Sequence, residues 1–429
     1  MTSLSFVCFI VASLLLSVAN SSIVYGVSSS IKTLAVSNLT KRTLAGEVPQ
    51  TSSSGERVGL KRQSRRALRG RARKSQSSRN APTANTTDLP SSLPSLKGKS
   101  CRSASDADLL PPLKRIIWRE NYRQLVNATV GSGKEFASGM RSLKDLAKKN
   151  PGGFEVLVVG GRGDATVPTS IPTSQWLEIQ GVGARVIFAW NYNATAWQTP
   201  GKPVPTGVVG KAVPLGLDFH TLNGARTQRG KTWWGEPRMS PDQQYAVLCN
   251  LRTEAPPSWA KRPNRDRILA PFRTVSEPIR ELFYESHRIP TRTSVWQAIN
   301  KTGLADELNY KSRREIWAQM GNYGFVVSPV GHGLDTHRTW EALAMGAIVL
   351  TQSTPLDAMF ADHQLPVYVL KSVEEWASLD LPKLKSIAGE LAQWTEPAHL
   401  NPRLDSGFWF KKPDANTRRR LNAPTAIEL

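Results

Sequence analysis

From about residue 109 onward the chain alternates between two kinds of apolar pattern. FEVLVVGG (154–161), ARVIFAWN (184–191), RILAPF (267–272), GFVVS (324–328), AIVLT (347–351) and LPVYVL (365–370) are short runs rich in Val, Ile, Leu and Phe. Such runs suit strands buried on both faces of a parallel sheet. YAVLCNL (245–251) reads the same way. Between them lie segments with apolar residues at helical spacing: 111–126, 137–150, 174–183, 276–287, 312–320, 372–379 and 381–394. Pro151 with Gly152 and Gly153 ends the second of these, Ser276 is placed to cap the fourth, and Ser372 with Glu375 has the spacing of a capping box. Strands alternating with helices predict parallel α/β architecture.

One stretch carries more information than the rest, GFVVSPVGHGLDTHRTWEALAMGAIVLT (324–351). It reads as strand, tight loop, helix, strand. Pro329 stops the strand, and Gly331 and Gly333 flank His332 in a turn that brings bare backbone near a ligand. The helix is expected from Asp335 to Met345, with Asp335 as N-cap and Gly346 just past its end. A glycine loop feeding a helix N-terminus at the carboxyl end of a parallel strand is suited to anions. Asp335, His337, Arg338 and Glu341 fall within two turns, which suits a nucleotide diphosphate and its ribose. The alternative is an ordinary α/β turn in which Arg338 and Glu341 form a surface pair.

SPVGHGLDTHRTWEALAMGAIVL (328–350) resembles the donor-site segment of exostosin-like glycosyltransferases. VPLGLDFHTL (213–222) and WWGEP (233–237) resemble further segments of the same kind of protein. The resemblance spans about 150–370 and is strong in the first two patches. It implies a GT-B plan, two Rossmann-like domains facing a cleft. It also implies that Glu341 binds ribose hydroxyls, Arg338 contacts the diphosphate, and Gly331 with Gly333 forms the phosphate loop. Arg273 and Arg280 are further diphosphate candidates, or plain surface charges. His337 is a further candidate for contact with the diphosphate. Asp218 and His220 are the candidate general base, with a hydrogen-bonded structural histidine as the alternative for His220. The implied reaction transfers a sugar from a nucleotide-sugar donor to a glycan or glycoprotein acceptor. Such enzymes hold the leaving diphosphate with helix dipoles and basic side chains, so no metal and no cofactor is expected. The sequence shows no CxxC or His-rich spacing for zinc, and its only DxD, Asp106-Ala107-Asp108, has no strand before it.

Charge refines the domain map. The 429 residues carry +22, but 27–102 holds 16 Lys/Arg against 3 Asp/Glu, a net of +13. Residues 411–420 add +4, which leaves +5 for the rest. The globular part is thus mildly basic, which argues against specific nucleic-acid binding. Residues 20–108, rich in Ser, Arg, Thr, Ala and Pro, are too poor in large apolar side chains to build a core and are expected to be disordered. The expected domains are 1–19, 20–108, an acceptor-side α/β domain at 109–243, a nucleotide-sugar domain at 244–396, and a loosely packed basic tail at 397–429.

SFVCFIVASLLLSVA (5–19) has signal-peptide length, with Ser17 and Ala19 suited to cleavage after Ala19. It lacks a basic residue before it, and an uncleaved anchor, the only membrane contact expected, is the other reading. Either places the body in the secretory pathway, in the Golgi lumen or secreted. Six N-x-S/T sites, at Asn20, Asn38, Asn85, Asn127, Asn193 and Asn300, fit that route. Cys101 and Cys249 form either a disulfide or two thiols. KRQSRRALRGRARK (61–74) is a solvated linker, a processing site or a polyanion contact; its Arg66-Ala67-Leu68-Arg69 resembles the RxLR tetrapeptide of oomycete secreted effectors. Two further functional classes therefore stand beside the enzyme: a secreted effector with this fold that binds a host partner, and a polyanion-binding protein.

Overall fold

The computed structural model describes residues 110–131, 134–160, 166–198, 208–223, 236–256, 258–272, 284, 288–308 and 312–410. Outside them lie the apolar run at 5–19, the basic linker with its RxLR-like tetrapeptide, Cys101, Asp106-Ala107-Asp108, and residues 161–165 of the glycine loop after the first expected strand. Trp233, Trp234, most of the expected helix 276–287, and the tail beyond 410 lie outside as well.

The described chain is an α/β fold built on two parallel sheets. In chain order the first half comprises α1 (Arg119–Leu125), β1 (Ala128–Gly131), α2 (Lys134–Lys149), β2 (Phe154–Val159), α3 (Thr173–Gly181), β3 (Ala184–Ala189), β4 (Val209–Ala212) and α4 (His220–Asn223). Its four strands lie in sequence order, β1-β2-β3-β4. The second half opens with α5 (Pro241–Glu254), β5 (Asn264–Ala270), α6 (Arg292–Asn300), β6 (Ala305–Glu307), α7 (Arg313–Asn322), β7 (Tyr323–Val327) and α8 (His337–Ala344). It continues through β8 (Ile348–Gln352), α9 (Asp357–Asp362), β9 (Val367–Leu370), α10 (Val373–Ala377), α11 (Leu381–Leu391), α12 (Pro397–Arg403) and α13 (Ser406–Trp409). Its sheet order is β6-β5-β7-β8-β9, every pair parallel.

Three apolar clusters hold this arrangement. One covers a face of the first sheet, with Phe154, Val156, Val158 and Ile187 under α2 and α3. A second covers a face of the other sheet, with Phe325, Val327, Ile348, Trp376 and Ile387. The third is shared between the halves: Ile117, Tyr122, Phe188 and Trp190 pack in one cluster with Val326, Trp340, Leu404 and Phe410. The two sheets therefore meet through a hydrophobic seam.

The structure corrects three expectations and adds two strands. YAVLCNL lies inside helix α5, where Ser240 and Gln243 form a full capping box and Pro241 takes the first turn. Its apolar run is short enough to suit either state, and the cap decides. The domain division at 243/244 consequently falls within that helix. Residues 111–126 are helical only over α1; Pro112 directs a turn, and Ile116 bridges Asp405 in antiparallel pairing. Residues 397–410 are not a loose tail. Ile117 donates its N–H to the Leu404 carbonyl at 2.8 Å, Arg115 pairs with Asp405 at 2.6 Å, and Phe410 packs on Tyr122 and Phe188. This C-terminal segment crosses back and buries its apolar face on the first half. Finally, β1 and β4 are strands that the apolar pattern does not reveal.

Candidate active site

The site forms where the carboxyl end of β7 meets the segment that follows β4. After Val327 the chain turns through Pro329 to Leu334. The Val330 N–H is held by the Gln352 side-chain oxygen at 2.8 Å, while its carbonyl accepts from the Tyr284 hydroxyl at 2.9 Å and Arg292 Nε at 3.0 Å. A Cβ on Gly331 would lie 3.2 Å from the Arg292 guanidinium, so this glycine lets the arginine close on the loop. Ser328 Oγ bonds the Thr336 and Thr339 hydroxyls at 2.8 and 2.9 Å, tying the strand end to the start of α8. At the other end, Gly346 has φ +73, and the N–H groups of Gly346 and Ala347 donate to the carbonyls of Leu343 and Ala342. That is the double bond of a Schellman stop, at the glycine the sequence marks.

Asp335 differs from expectation. The N-cap of α8 is Thr336, with no side-chain capping bond. The Asp335 carboxylate instead accepts three N–H groups, from Leu215 backbone at 2.7 Å, Trp340 Nε1 at 2.8 Å and Thr336 backbone at 2.7 Å. Its own N–H donates to Asn191 Oδ1 at 2.7 Å. Leu215 and Asn191 belong to the first half, so Asp335 clasps the two halves and its carboxylate is spent on protein N–H groups. Burial outweighs these donors and pushes its carboxyl up to about 6.

The clasp brings 213–222 onto the start of α8. His337 donates Nδ1–H to the Gly216 carbonyl at 2.6 Å, which leaves Nε2 with its lone pair. The His337 and His220 rings lie 5.2 Å apart between centroids. His220 Nδ1 is 2.9 Å from Asp218 Oδ1. Asp218 Oδ1 accepts from the Thr221 N–H at 2.9 Å, and Oδ2 pairs with Arg313 at 2.7 Å. Burial alone would raise the Asp218 carboxyl; the Arg313 guanidinium, aided by His220 and His337, holds it well below the usual carboxylate range. Burial pushes His337 down, so its imidazole is neutral. On the next turn Arg338 donates to Glu341 at 2.9 Å, and Glu341 is only 3% exposed.

Six of the sequence-chosen residues thus gather here: Asp218, His220, Gly331, His337, Arg338 and Glu341. Gly333 is buried in the same loop. Asp335 is structural, and Arg273 and Arg280 lie outside the described residues. Arg313, which the sequence pattern does not single out, also bonds the Asp218 carbonyl and Gln244 Oε1 while its backbone N–H meets Glu236 at 3.0 Å. A signal existed: an arginine at the first helical position opposes the helix dipole. Nor does the pattern show that Asp218, His220 and His337 form one cluster, because more than a hundred residues separate its members.

No family model matches this chain, and no curated protein matches it. Among solved structures it is similar to a glycosyltransferase from Rickettsia africae, at 12% identity and TM-score 0.31, over 68% of this chain and 83% of that one. AviGT4, a glycosyltransferase involved in avilamycin A biosynthesis, gives 10% identity, TM-score 0.24 and coverage of 66% and 87%. UDP-GlcNAc 2-epimerase from Methanocaldococcus jannaschii gives 11%, 0.25, and coverage of 64% and 81%.

Proposed function

We propose that this chain is an exostosin-like glycosyltransferase of the GT-B plan, moving a sugar from a nucleotide donor to a glycan or glycoprotein hydroxyl. The observation that carries the reading is the meeting of Asp218 and His220, from the first half, with His337, Arg338 and Glu341 at the carboxyl end of β7. Donor and acceptor functions need to face each other in this way. The start of α8 and Arg338 hold the diphosphate without a metal, and Glu341 accepts from ribose hydroxyls. The acceptor oxygen then bonds the anomeric carbon as the bond to the diphosphate breaks. The acceptor proton passes to the Asp218–His220 pair, and the nucleoside diphosphate leaves with its electron pair. The disulfide at Cys249, whose partner lies outside the described residues, supports a secretory-pathway location.

The test is a thermal-shift and calorimetric screen of nucleoside diphosphates and nucleotide sugars on the full chain, because a ligand that binds the native state raises its melting temperature. Glu341→Ala is expected to abolish the shift. His220→Ala is expected to keep it and to lower turnover by roughly 10²–10⁴-fold. A wild-type chain that binds none of the panel sinks the reading.

A further inference from the structure

The cluster of Asp218, His220 and His337 has a property that a general-base pair does not require. Each side chain offers one ligand atom, and the three atoms lie within 4.8 Å of one another. They come from both halves of the fold: α4 and the segment before it, and the first residue of α8. We propose that these three residues form a binding site for a divalent transition-metal ion of the zinc class, with a coordination position left open.

Four details of the site support this. Two imidazoles and a carboxylate are a donor set that zinc and its neighbours prefer. The His337 ring is already oriented: its Nδ1–H is spent on the Gly216 carbonyl, so Nε2 is the free donor. A backbone carbonyl holding the second ring nitrogen is the usual support of a metal-bound histidine. The carboxylate is likewise fixed, its outer oxygen by Arg313 at 2.7 Å and its inner one by the Thr221 N–H at 2.9 Å. Finally, His220 Nδ1 is buried and close to Asp218 Oδ1, at 2.9 Å. A separation of 2.9 Å is close to that of neighbouring ligand atoms on one ion. With metal–ligand bonds of about 2.0–2.1 Å, ligand atoms sit roughly 3.0–3.4 Å apart, so closing all three on an ion requires side-chain movements of about 1 Å. The Arg313 cation lowers the affinity of the site but does not block it, because it binds the oxygen facing away from His220.

The site stands independently of nucleotide binding, which uses Arg338 and Glu341. Its chemical consequence rests on the proposed function. With an ion bound, an acceptor hydroxyl at the open position would be made more acidic by the ion's charge and would release its proton to solvent, Asp218 and His220 then serving as ligands rather than as the base. Donor recognition stays free of metal.

The experiment uses the full chain, stripped with a chelator, dialysed, and titrated with Zn²⁺ and with Co²⁺. Bound metal is measured by atomic emission and by the visible bands of Co²⁺. About one ion per chain is expected, with affinity reduced by roughly 100-fold or more in His337→Ala and in Asp218→Asn, and unchanged in His399→Ala. Histidine NMR covers the case of a variant that fails to fold. In the wild-type chain Zn²⁺ should shift the resonances of two of the six histidines, His220 and His337. Negligible uptake, equal uptake by all variants, or shifts confined to other histidines overturns the proposal. Nucleotide binding that persists in a chain that takes up no metal leaves the glycosyltransferase reading intact; metal uptake without nucleotide binding leaves only the metal site.

Discussion

Asp335→Ala tests whether one buried carboxyl holds the halves together. The substitution strips the partner from two buried donors, the Leu215 N–H and Trp340 Nε1. Each orphaned donor costs about 1–3 kcal/mol, roughly 2–6 in all. Thr336 is half-buried, and water replaces its bond. Against this stands the cost of keeping the carboxylate ionised. A folded pKa of about 6 against an ordinary 3.8 corresponds to roughly 3 kcal/mol. Because the folded pKa is raised, the stability it brings is full below about pH 4 and is lost as pH rises through about 6. The loss caused by Asp335→Ala should therefore be large in mild acid and small above neutrality. Between about pH 5 and about pH 7.5 it should shrink by roughly 1.5 kcal/mol. Urea unfolding followed by tryptophan fluorescence at the two pH values measures this. A loss that grows with pH would show that the three N–H groups win over burial. A loss below about 0.5 kcal/mol at both would refute the clasp. Asp335→Asn keeps an oxygen for Leu215 and Trp340, and should abolish this pH dependence.

Three further outcomes are expected. Gly346→Ala should cost about 1–3 kcal/mol in denaturant titrations, since φ is +73 and its Cβ would press on Arg252 and lie 2.9 Å from Arg262. Phe410→Ala should cost about 3–5 kcal/mol and weaken protection from hydrogen exchange at Ile117, whose N–H is held by Leu404. The Asp218 carboxyl is depressed, so its stabilisation is present above about pH 4 and lost as pH falls through its lower folded value. Acid titration should find that Asp218→Asn, though less stable at neutrality, loses stability less steeply in that window.

Much of the fold was legible because it is written in local chemistry. The Ser312–Glu315 capping box marks the start of α7, and Gly346 marks the end of α8. Strands β2, β7 and β8 are continuous apolar runs because helices or the seam cover both faces. β1 and β4 lack that signature. Ala128–Gly131 is too short to show a pattern, and all four residues of Val209–Ala212 are half-buried at the sheet edge. The return of 397–410 to the first half was equally hidden. Leu400, Leu404, Trp409 and Phe410 are spaced irregularly, and the first-half partners of Leu404 and Phe410, Ile117, Tyr122 and Phe188, lie more than 200 positions earlier.

The site follows the same division. The Arg338–Glu341 pair is legible because the two share one helix and one turn. What Asp218 does is set by Arg313, 95 residues away, and by His337, held near it by its bond to Gly216 and by the Asp335–Leu215 bond at 2.7 Å. Residues 335–341 therefore carry contacts to both halves. His337 and Asp335 are close in sequence to Glu341, yet they act on the opposite half. Changing either should disturb chemistry at Asp218 and His220 while leaving the Arg338–Glu341 pair in place, and this separates assembly of the two halves from recognition of the donor.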